Sequence, residues 1–215
     1  MADEKTLMAI KSAREGSKQR NFKQSFDMAI NLKNTDMKKP ENKIKADIFL
    51  PNTTGKSVKI GLFADALIPL AKKHPDDIII IRKDEIESYG KNKKAAKALA
   101  STCQSFIAEA PLMPSVGKWF GQILAVRGKM PKPVLPTLQD FKPIVEKARS
   151  SVAIAAKESP AIHCRIGIED MTDEKVAENA AAVLSAITAA LPKGKEQIKN
   201  VYIKLTMGKP IKIEM

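Results

Sequence analysis

Two fragments of this 215-residue sequence carry residue types that could do chemistry. The first is Asn52-Thr53-Thr54-Gly55-Lys56-Ser57-Val58. Its Gly55-Lys56-Ser57 has the ending of a phosphate-binding loop, in which backbone amides cradle phosphates and a lysine reaches the outer ones. That loop needs another glycine five residues before Gly55, and position 50 is Leu50. The fragment reads as a turn between strands. The second is Ile162-His163-Cys164-Arg165, where an imidazole adjoins a thiol. Neighbours on a strand point to opposite faces, so these two cannot form a nucleophile–base pair with each other. The other histidine, His74, lies in Lys72-Lys73-His74-Pro75-Asp76-Asp77 and reads as a surface helix end. No metal-ligand spacing occurs and no paired carboxylates stand out. The sequence predicts no catalytic site, no metal and no cofactor.

The closing stretch, Asn200 to Met215, raises a different question. Val201, Ile203 and Leu205 alternate with Tyr202, Lys204 and Thr206 as in a half-buried strand. Met207-Gly208-Lys209-Pro210 breaks the pattern before Ile211, Lys212 and Ile213 resume it. One reading is a tight turn, with Gly208 in an unusual backbone conformation and Pro210 opening an edge strand. The other is bare backbone at Gly208 that lets something large approach.

Composition narrows the partner. Lys plus Arg total 37 and Asp plus Glu 24, a net of +13. That excess favours an anionic partner: nucleic acid, an acidic membrane or an acidic protein. The charge is spread, since residues 1–60 hold 13 basic and 7 acidic side chains and residues 61–151 hold 15 and 9. A disordered basic arm is therefore not expected. A general single-strand binder would need aromatic platforms. The chain has only 7 Phe, 2 Tyr and 1 Trp, and Trp119 reads as core. No apolar run of about 18 residues occurs, so no membrane span is expected. The first ten residues carry acids where a signal peptide carries bases. Cys103 and Cys164 read as reduced, buried thiols. The expectation is a soluble, cytoplasmic protein.

The elements that position these residues fall into two styles. Residues 3–19 read as a helix, with Leu7, Ile10 and Arg14 at helical spacing. Ser25–Leu32 and the Ile44–Leu50 stretch alternate as amphipathic strands. From about residue 57 the style changes. Ser57–Phe63 and Asp76–Lys83 read as buried strands, because Ile78 to Ile81 are apolar without alternation. Helical stretches follow at 65–74, 91–101, 114–124 and 138–151, with a short strand at 105–109. Strands alternating with helices predict a parallel, doubly wound middle domain. Val126–Pro136, with Gly128, Pro131, Pro133 and Pro136, reads as an extended loop serving as a hinge-side or interface element. After residue 151 the amphipathic style returns in strands at 151–157 and 161–168, a long helix begun by Thr172, and the closing strand. The simplest arrangement builds one domain from residues 1–62 and 152–215 and inserts residues 63–151. The fold class is α/β: a terminal two-layer α+β-like domain and an inserted three-layer, Rossmann-like one. The outward residues of three terminal strands, Ser25, Asp27, Asn31, His163, Arg165, Tyr202, Lys204 and Thr206, make a polar sheet face. It is either simply solvated or suited to folded RNA through hydroxyls and phosphates.

Four segments resemble the large-subunit ribosomal protein L-one family: Asn21–Pro51, Ala110–Pro133, Ala161–Gly167 and Val201–Pro210. The second ends in the arginine–glycine loop of the family's middle-domain signature, and the fourth contains its Thr-Met-Gly motif. The Leu32–Asn42 wording is similar to archaeal members. The resemblance covers nearly the whole chain. It implies a discontinuous RNA-binding domain around an inserted one. It also implies a folded large-subunit ribosomal RNA site, in the mobile stalk at the tRNA exit site, as principal partner. Its own messenger RNA, which some members repress, and exit-site tRNA are further implied partners. The free protein would be a monomer. Carried over by motif, Phe22, Ser25, Thr206, Met207 and Gly208 would face RNA, joined on the sheet by Asn31, His163, Lys204 and Lys209. Gly208 would let backbone approach the RNA, Thr206 would offer a hydroxyl, and Met207 a flexible apolar side chain. Bacterial members carry an acid where this chain has Lys23 and Gln24. The alternative is a nucleotide-binding enzyme using the middle domain.

Overall fold

The computed structural model describes residues 4–33, 44–55, 58–72, 77–135, 140–156 and 159–213. Lys56, Ser57, His74 and Pro136, as well as most of the archaeal-like stretch, lie outside these. The chain divides into two compact units, one of residues 1–56 and 150–215, the other of residues 57–149. The cut comes before residue 62 because the strand from Ile60 pairs wholly within the inserted sheet.

In the terminal unit, α1 (Glu4–Glu15) precedes β1 (Ser25–Leu32) and β2 (Ile44–Phe49). After the insertion come β7 (Ser151–Ala156), β8 (Ala161–Ile168), α7 (Asp173–Ala190), β9 (Ile198–Leu205) and β10 (Ile211–Ile213). The main sheet has the order β10-β9-β1-β8 and is antiparallel throughout. Strict alternation explains it: Phe26, Met28, Ile30 and Leu32 are buried with Ile162, Cys164 and Ile166 on β8 and Val201, Ile203 and Leu205 on β9. Helix α7 covers that face with Val176, Ala177, Ala180, Val183 and Ile187, spaced as one helical stripe. Helix α1 adds Ala9, Ile10 and Ala13. The pair β2–β7 contributes Ile48, Ile154 and Ala156 to the same core.

Two polar side chains fasten the helices. Asn179, fully buried on α7, accepts from the Asn52 amide (3.0 Å) and donates to the Ile166 carbonyl (2.8 Å). Arg14, near the end of α1, donates to Asp173 Oδ1 (2.8 and 3.0 Å) and to the carbonyls of Glu169 (2.6 Å) and Met171 (2.8 Å). Its guanidinium also lies 5.4 Å from the Phe26 ring centroid. The helical spacing of Arg14 with Leu7 and Ile10 thus serves a four-bond clamp. Thr172 takes the N-cap position of α7 but makes no side-chain cap bond.

The inserted unit has a parallel sheet of order β4-β3-β5-β6. Its strands are β3 (Ile60–Ala64), β4 (Ile78–Arg82), β5 (Ser105–Glu109) and β6 (Lys132–Val134). Two apolar clusters flank it. Phe63, Phe106 and Phe120 centre one, with α3 (Lys83–Lys91), α4 (Lys93–Thr102) and α5 (Met113–Val126). Ile60, Leu62, Leu67 and Phe141 belong to the other, with α2 (Ile68–Ala71) and α6 (Lys142–Ser150). The unit is three-layered and doubly wound, and the chain is α/β as its alternating elements predict.

Three elements depart from the sequence reading. Helix α3 was not foreseen; Glu85 accepts from the Arg82 amide (3.1 Å) and opens it. Helix α2 is a single turn, with Pro69 in its first positions. Three residues of the extended loop join the sheet as β6, and Pro133 is tolerated because β6 is an edge strand. Gly128 turns that loop with φ of 70°. Arg127 donates to the Lys97 carbonyl inside α4 (3.0 Å), and Lys129 to the carbonyls of Ala100 (2.8 Å) and Cys103 (2.6 Å) at its end. The positive charge of Lys129 suits that helix end.

Replacing Arg14 should loosen the terminal unit. Arg14→Ala removes charge-assisted bonds to α7 and to the loop before it, and is expected to cost about 2 kcal/mol. Arg14→Lys should not restore it, because one ammonium cannot reproduce the planar fork. Urea unfolding monitored by circular dichroism checks both, and unchanged midpoints would contradict the clamp.

Candidate functional site

One end of the terminal sheet brings the first and last strands together through side chains. The Ser25 amide donates to Thr206 Oγ1 (3.1 Å), and the two hydroxyls lie 3.0 Å apart. The Thr206 amide donates to the Ser25 carbonyl (3.0 Å). One residue out on each segment, Gln24 Oε1 accepts from the Met207 amide (3.2 Å). Gln24 is fully buried and donates through Nε2 to Ser17 Oγ (3.0 Å) and the Lys18 carbonyl (3.3 Å). Its own amide donates to Glu169 Oε2 (3.2 Å). Lys23 pairs with Asp170 on the surface, which raises the Lys23 pKa. Gln24 is therefore a bridge between β1 and the closing turn.

This network leaves two large apolar side chains in solvent. Phe22 is 52% exposed and Met207 61%. Both leave the same end of the sheet, where Ser25 and Thr206 are bonded. Gly208 does not have the left-handed conformation of the first turn reading; Gly55, Gly128 and Gly194 are the described glycines that do. Its amide donates to the Leu205 carbonyl (2.9 Å). A side chain on Gly208 would press on Leu205, whose Cβ would lie 3.3 Å from the added carbon. The turn is therefore tightly packed at Gly208. Thr206, likewise, spends its hydroxyl within the protein.

The open face of the sheet continues from this end. Asp27 stands opposite Lys204 on β9 and Arg165 on β8, and Ala29 opposite Tyr202 and His163. Asp27, Ala29, His163, Arg165 and Lys204 line a shallow cavity of about 450 Å³. Arg165 has a buried Nε with no hydrogen-bond partner. Arg165 and Gln24 are the residues the motif reasoning did not single out. The strand alternation that exposes His163 also marked Arg165, whereas nothing local marked Gln24. Asn31 lies apart: it pairs with Ala161 and Asn200 at the far end of β1. Six residues of strand put it about 20 Å from Ser25. Lys209 is exposed beside the turn.

His163 and Cys164 do point to opposite faces. His163 is exposed, while Cys164 lies in the core. Burial, reinforced by the charge of Asp27, pushes the Cys164 thiol up to about 12. Burial also raises Cys103, against the pull of Lys129 and Lys59. Both thiols are free and protonated at neutral pH. No metal-holding group of three or more ligands exists among the described residues. No helix among them is long and apolar enough to cross a membrane.

The inserted unit has the crevice where doubly wound sheets bind ligands, outside the carboxyl ends of the strands where chain order reverses. Here that is the gap between β3 and β5. Glu109 lines it: it is 3% exposed, its Oε1 accepts from the amides of Asp65 (3.0 Å) and Leu67 (2.8 Å), and a cavity of about 540 Å³ bordered also by Lys83 and Ser115 stays open there. Amides of this first strand–helix loop hold phosphate in nucleotide-binding folds. In this chain they hold the protein's own carboxylate.

The geometry defines a class: a two-unit α/β protein whose features converge on a built surface rather than on a reaction centre. The pattern of the Ribosomal protein L1p/L10e family matches residues 11–209, and the chain belongs to that family, one of ribosomal proteins rather than enzymes. It is 46% identical over 212 residues to the large ribosomal subunit protein uL1 of Thermococcus kodakarensis, covering 98% of this chain and 97% of that one. The corresponding protein of Methanothermobacter thermautotrophicus is 44% identical, with 96% and 97% covered. That of Methanocaldococcus jannaschii is 43% identical, with 100% and 97% covered.

The network separates the two residues at its centre. Thr206→Ala should destabilise the terminal unit by about 1–2 kcal/mol, because the Ser25 amide loses its acceptor. Thr206→Ser should recover most of that. Met207→Ala should leave stability within about 0.5 kcal/mol, as for an exposed side chain. Thermal melts of the three variants measure this, and equal losses in both alanine variants would refute the division.

Proposed function

We propose that this chain is a structural protein of the large ribosomal subunit, and that its terminal unit binds a folded site on the ribosomal RNA. Family membership supports the ribosomal setting. The observation that carries the rest is the pair Phe22 and Met207, exposed at one end of a sheet whose backbone is locked by Ser25, Thr206 and Gln24. Exposed apolar side chains on a rigid frame suit ribose and base faces in folded RNA. Lys204 and Arg165 beside them suit phosphates, and the net +13 suits an anionic polymer. Thr206 and Gly208 act by shaping the turn, and His163 borders the same face. Asn31 belongs to its far end.

In this reading the protein sits in the cytoplasm on the ribosome, in the stalk at the tRNA exit site where it meets departing tRNA, and is a monomer when free. A surface that selects shape would also take a copy of that shape in the protein's own message, which would let it repress translation. Against the nucleotide-binding alternative, the loop amides that would hold a phosphate are bonded to Glu109.

The test is to sequence RNA fragments protected by the purified protein from total cellular RNA. One ribosomal site, with a second in the message, is expected; unselective protection would overturn the reading. On that fragment, Met207→Ala and Phe22→Ala should each weaken binding by about 1–3 kcal/mol with the salt slope unchanged. Lys204→Ala should make the slope shallower by about one.

We further propose that the terminal unit is the autonomous RNA-binding part. Replacing residues 57–149 with a short linker should leave a folded protein that keeps specific binding. A folded product without binding would move the site to the inserted unit.

A further inference from the structure

We propose that the inserted unit carries a second RNA-binding surface, on α4 and α5, that takes an unpaired nucleotide of single-stranded RNA. Nothing in it depends on the sheet end of the terminal unit.

The even spread of charge along the sequence hides a local concentration. Neither α4 nor α5 contains an acid. Together with the residue that follows α5 they present Lys93, Lys94, Lys97, Lys118 and Arg127. Three of these cations line one cavity of about 330 Å³, again without an acid among its lining residues. That volume is at the lower end for small-ligand sites and suits one base with its sugar.

Trp119 also lines this cavity, so it is only partly core. Its indole is seated by a missing side chain on α3: a Cβ on Gly90 would fall 2.7 Å from Trp119 atoms. Gly90 is the next-to-last residue of α3, and its missing side chain makes room for the ring. The Lys118 ammonium lies 5.3 Å from the ring centroid, so the indole already takes part in a π contact at the surface. Arg127 is held by the Lys97 carbonyl and by Ser101 Oγ (2.9 Å), both through Nη1, which leaves its other donors for an anion. Val126, 79% exposed, adds an apolar wall.

A cationic rim around a fixed aromatic is the arrangement that holds single strands, with phosphates on the charges and a base on the ring. A duplex keeps its bases stacked and out of such a cavity, so the occupant is an unpaired nucleotide.

The chain's only tryptophan makes the test direct, because Trp119 emission reports on this cavity alone. The full-length protein is titrated with an oligouridylate of about eight nucleotides at low salt. Saturable quenching is expected. Lys93→Ala with Lys97→Ala should weaken it about tenfold and lower the salt slope by about two. Alanine suits both helical positions, so the double variant should keep the wild-type melting temperature. Met207→Ala should quench as the wild type does, which separates this surface from the terminal unit's. Inorganic polyphosphate should compete without quenching. Absence of saturable quenching, wild-type affinity in a folded double variant, or equal quenching by polyphosphate would each overturn the proposal.

Discussion

The pairing of β1 with β9 is the constraint on which the rest depends. It joins residues 181 positions apart, from Ser25 to Thr206, and puts the amino-terminal strand at the centre of a sheet that the carboxyl-terminal strand completes. Loop closure on this scale costs only slowly more as the loop lengthens, so an insertion of a whole unit between the strands is tolerable. What it requires is strong register. The alternation Phe26, Met28, Ile30 against Leu205, Ile203, Val201 supplies that, because a one-residue slip would turn every buried side chain into water.

The end of that pairing is also where the polar bonds concentrate. Ser25 and Thr206 satisfy each other's backbone, Gln24 satisfies that of Met207, and Gln24 is carried in turn by Ser17, Lys18 and Glu169. Gln24 and Ser25 are buried within this network, and leaving their polar groups without partners would be costly. Beside it, Phe22 and Met207 stay exposed.

The inserted unit shows the same economy in another form. Its fold provides an amide-lined crevice at the ends of β3 and β5, and Glu109 lines it. The unit keeps the architecture of a ligand-binding domain while two loop amides at its switch point are bonded to an internal carboxylate. Its basic helices and half-exposed Trp119 leave its outer surface as the place where chemistry with anions remains open.

Much of this was legible in the sequence, for a physical reason. Strand period two and helix period 3.6 are local properties, so β1, β8, β9 and α7 could be read from Phe26–Leu32, Ile162–Ile166, Val201–Leu205 and the Val176–Ile187 stripe. The shift from alternating to uniformly apolar strands at Ile78–Ile81 likewise betrayed the parallel inserted sheet. The separation of His163 from Cys164 needed only strand geometry. What lay beyond the sequence depended on partners distant along the chain. Gln24 and Arg14 look like ordinary polar surface residues until Met207 and Asp173 are brought to them. Gly208 and Gly90 are both glycines, but only packing shows that one yields to Leu205 and the other to Trp119. The sequence by itself determined which residues face the core, because periodicity is written residue by residue. Tertiary structure alone decided which exposed side chains are fixed, and by what, because a hydrogen bond between residues 181 apart has no local signature.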